Sequence, residues 1–117
     1  MKKPSPAIAR AVAAEMRRFD RRAWTLVEYA DADWSHGYCS GERIGAWRAD
    51  GKGLARVKPP TILKVPYVQF CAAKGRVLIE HSLAEGTGVG AVYELKKAKS
   101  GYTASPLADG MKWRTFA

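Results

Sequence analysis

The sequence predicts an α+β fold: one N-terminal amphipathic helix packed on a mainly antiparallel sheet of five or six strands. Two observations predict it. Apolar residues near the N-terminus recur at helical spacing, and from Arg43 onward short alternating runs are separated by Gly-containing turns. No internal repeat, linker or low-complexity tract divides the chain. At 117 residues, with 47% hydrophobic and 26% charged content, it is expected to form a single domain over residues 1–117.

The helix comes first. Ser5 can accept a backbone hydrogen bond as N-cap, and Pro6 is tolerated at the first helical position. Ile8, Val12, Met16, Phe19 and Ala23 then follow in steps of four, four, three and four, which traces one face over four turns. Arg10, Arg17 and Arg21 fall on the opposite side, flanked by Arg18. Arg22 lies nearer the apolar boundary, where its stem can cover core edge while its head reaches water. Only Glu15 and Asp20 balance these cations. The segment reads either as a solvated face or as a ridge able to contact phosphate, and a face of one sign favours the ridge.

Residues 23–29 fit both a helix extension and a strand; Trp24, Thr25, Val27 and Tyr29 favour a strand after a break near Arg22. Ala30 to Gly37 is a polar connection whose Asp31 and Asp33 would neutralise part of the arginine face if placed beside it. Arg43–Arg48 and Leu54–Lys58 flank Ala49–Gly53, a hairpin signal, and Pro59-Pro60 closes the pair. Pro66 interrupts the apolar run from Thr61 to Cys71, which places that run at a sheet edge or bulge or divides it in two. Lys74-Gly75 turns into an alternating strand over Arg76–Leu83. Glu85 to Gly88 is a second hairpin turn, leading into Val89–Lys97. Lys99-Ser100-Gly101 and Asp109-Gly110 are further turns, and Met111–Phe116 is the last strand expected.

Charge is the unusual property. Twenty basic against eleven acidic residues give +9 and a pI near 9.8. That balance predicts attraction to polyanions and says nothing about fold. Cys39 and Cys71 are too few for a disulfide framework and are expected as reduced thiols. No apolar run suits a signal peptide or membrane span, so no membrane association and a cytoplasmic location are expected.

No catalytic or metal motif stands out, and no cofactor is expected. His36, Cys39, Cys71 and His81 lack the paired spacing of a structural zinc site. Glu80 with Glu94-Leu95-Lys96 has the residue types of a metal-dependent nuclease, but a solvated strand face accounts for them. His81, Glu80, Arg76, Tyr93 and Lys96 would suit metal-free RNA cleavage if the fold gathered them. Gly86 to Gly90 lacks the Lys-Ser/Thr of a phosphate loop and precedes a strand.

Among the aromatics, Trp24 and Trp113 are assigned to the core, whereas Trp34 and Trp47 lie in or beside turns near Arg43, Arg48 and Lys52. Trp47 with Arg48 would suit base stacking or a protein–protein hot spot. The resulting expectation is a small non-enzymatic module that docks on an acidic partner, nucleic acid first. Arg10, Arg17, Arg18, Arg21, Arg22, Trp47 and Arg48 would form its contact surface. The alternatives are a protein–protein inhibitor or adaptor of the kind phages and mobile elements carry against host defence, and a metal-free ribonuclease toxin.

Overall fold

The α+β expectation holds in the computed structural model, which describes residues 3–84 and 87–107, with a sheet larger than predicted. Helix α1 (Pro6–Met16) precedes seven strands: β1 (Trp24–Asp33), β2 (Tyr38–Ala49), β3 (Leu54–Val57), β4 (Tyr67–Ala73), β5 (Arg76–Ala84), β6 (Thr87–Ala98) and β7 (Gly101–Pro106). They form one curled sheet in the order β3-β2-β1-β4-β5-β6-β7, antiparallel throughout except where β1 lies parallel to β4. The extra strand is β7, where Tyr102, Thr103 and Ala104 carry too weak an alternation among Gly, Ser and Pro to announce it. Trp113 and the strand expected over Met111–Phe116 lie outside the described residues.

The helix is shorter than its apolar spacing suggested. It ends at Met16; residues 17–19 form a turn, and Phe19 is 62% exposed. The core face is therefore Ala9, Val12, Ala13 and Met16, set on Trp24, Leu26, Trp47, Ala49, Val68, Phe70, Val77, Ile79, Ala91 and Tyr93. Ser5 occupies the N-cap with Pro6 after it, but its side chain makes no capping bond. The Glu28 carboxylate stands in, accepting the Ser5 N–H at 2.7 Å. A buried carboxylate at a helix N-terminus meets both the unpaired amide and the positive end of the helix dipole.

Residues 24–29 are strand, as the β-branched and aromatic content favoured. The β2–β3 hairpin forms with Ala49 opposite Leu54, and β4 begins directly after Pro66, so the proline divides the apolar run. Trp47 departs from expectation. It is 3% exposed, on the core face of β2 opposite Leu26, with its ring over Gly45 and against Phe70. A Cβ on Gly45 would come within 2.8 Å of that ring, so only glycine leaves the indole room. Trp47 is packing and not contact surface.

Irregularities beside Tyr29 bend the far half of the β1–β2 hairpin over the outer face of β4 and β5. This covers Leu78 and Glu80, and Glu80 accepts the Cys39 N–H at 2.7 Å. It also brings Cys39 and Cys71, 32 residues apart, to a Cα separation of 5.7 Å, where they are disulfide-bonded. The expectation of reduced thiols is overturned, because strand curvature and not sequence spacing joins them. That expectation had supported a cytoplasmic location, and the support goes with it, since such bridges persist in non-reducing settings. No helix among the described residues is long and apolar enough to cross a membrane.

Candidate polyanion-binding surface

The arginines taken as one ridge are dispersed by the early end of α1. Arg10 stays exposed on the helix. Arg17 reaches across to the β2–β3 turn, its Nε donating to the Asp50 carbonyl and a terminal nitrogen to the Gly53 carbonyl, each at 3.0 Å. Arg18 pairs with Glu15 at 3.3 Å. Arg22 clasps the Asp20 carboxylate with Nε at 3.0 Å and a terminal nitrogen at 2.8 Å. Only Arg10 and Arg21 remain exposed without an ion pair among the described residues of this segment.

A different grouping replaces the ridge. The Arg17 bonds dock the helix exit, residues 17–22, onto the β2–β3 turn, and Gly51 abuts the Arg21 backbone. Lys52 lies in that turn. Arg48, on the outer face of β2, lies beside Thr25 of β1 and donates to its hydroxyl at 3.2 Å. Next to it runs the loop of residues 58–66, which brings Lys64 and the 75%-exposed Ile62 alongside Arg48. Arg56, opposite Trp47, lies on the other face of the edge strand β3, and Lys58 follows that strand. Arg21, Arg48, Arg56, Lys58 and Lys64 form no ion pair among the described residues.

The acids are placed otherwise. Glu15, Asp20, Glu28 and Glu80 are buried, whereas every described Lys and Arg is exposed or half-buried. Asp31, Asp33 and Glu42 lie on the far half of the β1–β2 hairpin, not beside the helix exit. Asp33 is held well below the usual carboxylate range by hydrogen bonds from Ser35 and His36, so it is anionic, and it is its place on that far half that keeps its charge from the helix exit. At the basic end Asp20 is clasped by Arg22, and Asp50 is turned onto the Lys52 and Gly53 amides at 2.7 Å, which lower its pKa. Its carbonyl, with that of Gly53, is what Arg17 engages.

The other sequence candidates do not converge. His81 and Tyr93 face the core side of the sheet, Glu80 the other. Arg76 lies over the Trp34 ring at 4.7 Å, and Lys96 stands 3.7 Å from Glu94. The set expected for metal-free RNA cleavage is thus spread over two faces. His81 is buried beside Trp24, with its Nε2 3.4 Å from Asp20 and off hydrogen-bond geometry. Burial lowers its pKa, while the Arg22 clasp lowers that of Asp20. No group of three His, Cys, Asp or Glu that could hold a metal ion occurs among the described residues.

Sequence reasoning missed Lys64 and the loop around it, since nothing in residues 58–66 marks them as neighbours of Arg48. Comparison with protein-family models, curated proteins and solved structures returns no match.

Proposed function

We propose that this chain is a small binding module for polyanions, nucleic acid first, that docks through the end built from the helix exit, the β2–β3 turn, Arg48 and Lys64. One observation carries the reading: Arg21, Arg48 and Lys64 are exposed and form no ion pair among the described residues, while four carboxylates are buried and no described Lys or Arg is. Unpaired guanidinium and ammonium groups on one surface are what phosphate binding requires. A salt series with DNA and RNA oligonucleotides tests it. Affinity falls steeply with salt, and the combined change Arg21→Ala, Arg48→Ala and Lys64→Ala lowers the log–log slope by about 0.7 to 0.9 for each phosphate no longer neutralised. An unchanged slope removes this surface from the reading.

A second reading has its own support. Ile62, Val57 and Val65 are exposed next to the same cations, and apolar groups beside arginine also suit an acidic protein partner. Absence of oligonucleotide binding at low salt, with capture of an acidic protein that Arg48→Ala abolishes, would favour it.

A further inference from the structure

We infer that the groove between the loop of residues 58–66 and the outer face of β1 and β2 holds one unpaired nucleotide, making single-stranded nucleic acid the preferred ligand; this rests on the nucleic-acid reading above. The groove encloses about 290 Å³. Ala23, Pro60, Ile62, Leu63, Val65 and Pro66 line it with apolar side chains, beside the polar groups of Thr25, Arg48 and Lys64, the last two its cations.

Its shape is maintained by a residue outside it. Arg43 donates to the Pro60 carbonyl at 2.7 Å, to the Thr61 carbonyl at 3.1 Å and to the Tyr29 hydroxyl at 3.0 Å, with its guanidinium also over the Tyr29 ring. The loop is thereby fixed to the body of the sheet before any ligand arrives, which reduces the ordering cost of binding.

Charge complementarity chooses the occupant. Arg48 gives one terminal nitrogen to Thr25 and makes no other hydrogen bond among the described residues, so its remaining donors face outward, as does the ammonium of Lys64. Two cations flanking an apolar slot match a phosphodiester that carries an uncharged, flat base between its phosphates. A duplex keeps its bases stacked inside and presents only phosphate, so it engages the cations and leaves the slot empty. Ile62 is the informative wall: an isoleucine 75% exposed in the free protein gains burial when a base lies against it.

The two ligand forms separate the claims. Duplex DNA has the higher charge density and the steeper salt response, so a purely electrostatic surface binds duplex at least as well as single strand. The slot predicts the reverse. Fluorescence anisotropy with a homopyrimidine DNA strand and with the duplex of the same length, at two salt concentrations, gives at least about fivefold tighter binding of the single strand, the gain expected from burying part of the Ile62 side chain. Ile62→Ser removes most of that preference while leaving duplex affinity and the salt slope unchanged, and its exposure keeps folding out of the result. Arg48→Ala weakens both forms. Duplex binding equal to or tighter than single strand overturns the slot and leaves the basic end standing. Failure of both forms to bind at low salt overturns the two together.

Discussion

Arg43 and Arg48 belong to the same strand, yet the two halves of that strand use arginine in opposite ways. In the far half, Arg43 is consumed by the protein: two carbonyls, a phenol and a ring hold it. Around it Glu80, Asp33 and Arg76 are likewise engaged, and the Cys39–Cys71 bridge joins the hairpin to β4. In the near half, Arg48 has one hydrogen bond to Thr25 and no carboxylate. The difference teaches that charge at this protein's surface is not of one kind. In the far half Arg43 satisfies loop carbonyls; toward the helix exit Arg17, Arg18 and Arg22 are engaged as well, and Arg21 and Arg48 are the ones left for a partner.

The largest test of that contrast sits on adjacent residues. Trp47→Ala empties a core position and is expected to cost about 3–5 kcal/mol. Arg48→Ala, one residue on and facing outward, is expected to change stability by less than about 0.5 kcal/mol while reducing oligonucleotide affinity. Urea unfolding of the two variants, alongside oligonucleotide titration, measures both effects. Comparable losses of stability would mean that Arg48 is structural as well.

Next is the bridge in the far half. It closes a loop set by a separation of 32 residues, and chain entropy gives such a closure about 2–4 kcal/mol. Unfolding with and without a dithiol reductant should differ by that amount, and Cys39→Ser with Cys71→Ser should reproduce the reduced protein. If the near end is independent of the far one, reduction leaves the oligonucleotide salt slope unchanged; a changed slope would couple them.

The smallest effect concerns the buried pair beneath the helix exit. His81 has its pKa lowered, first by desolvation, so the unfolded chain binds the proton more readily than the folded one. Stability from His81 is then complete above the ordinary histidine value near 6.5 and is lost as pH falls from there toward the lowered folded value. Asp20, lowered chiefly by its hydrogen bond from Arg22, adds stability above 3.8 that is lost only below it. Between the two windows the slope belongs to His81 and is at most about 1.4 kcal/mol per pH unit. His81→Gln should flatten the unfolding free energy as pH falls below 6.5; a slope that persists there would assign the titration elsewhere.

Much of the fold could be read from the sequence because its signals are local. Pro6 starts the helix, Gly51 and Gly53 mark the β2–β3 turn, and Val77, Ile79 and His81 alternate onto the core face of β5. The errors arose where long-range packing decides. Phe19 continues the helical spacing but follows a helix end that the docking of Arg17 onto the Asp50 and Gly53 carbonyls helps to fix. Trp47 resembled a turn residue because it stands beside charged and glycine neighbours, while Gly45 and Phe70 determine its burial from across the structure. The site was half legible. Arg21 and Arg48 could be named from composition and spacing, but their assembly with Lys64 depends on a loop held by Arg43.

One consequence follows from β3. It is four residues long, pairs with β2 on one side among the described residues, and is followed by Lys58-Pro59-Pro60. An uncovered strand edge is a template for joining another copy of the chain, and proteins blunt such edges by shortness, charge and proline. The brevity of β3, the charges of Arg56 and Lys58, and the two prolines supply all three defences here. The cations that would draw in a polyanion therefore also hold like molecules apart, and a ligand that neutralised them would bring crowded copies closer to edge-to-edge assembly.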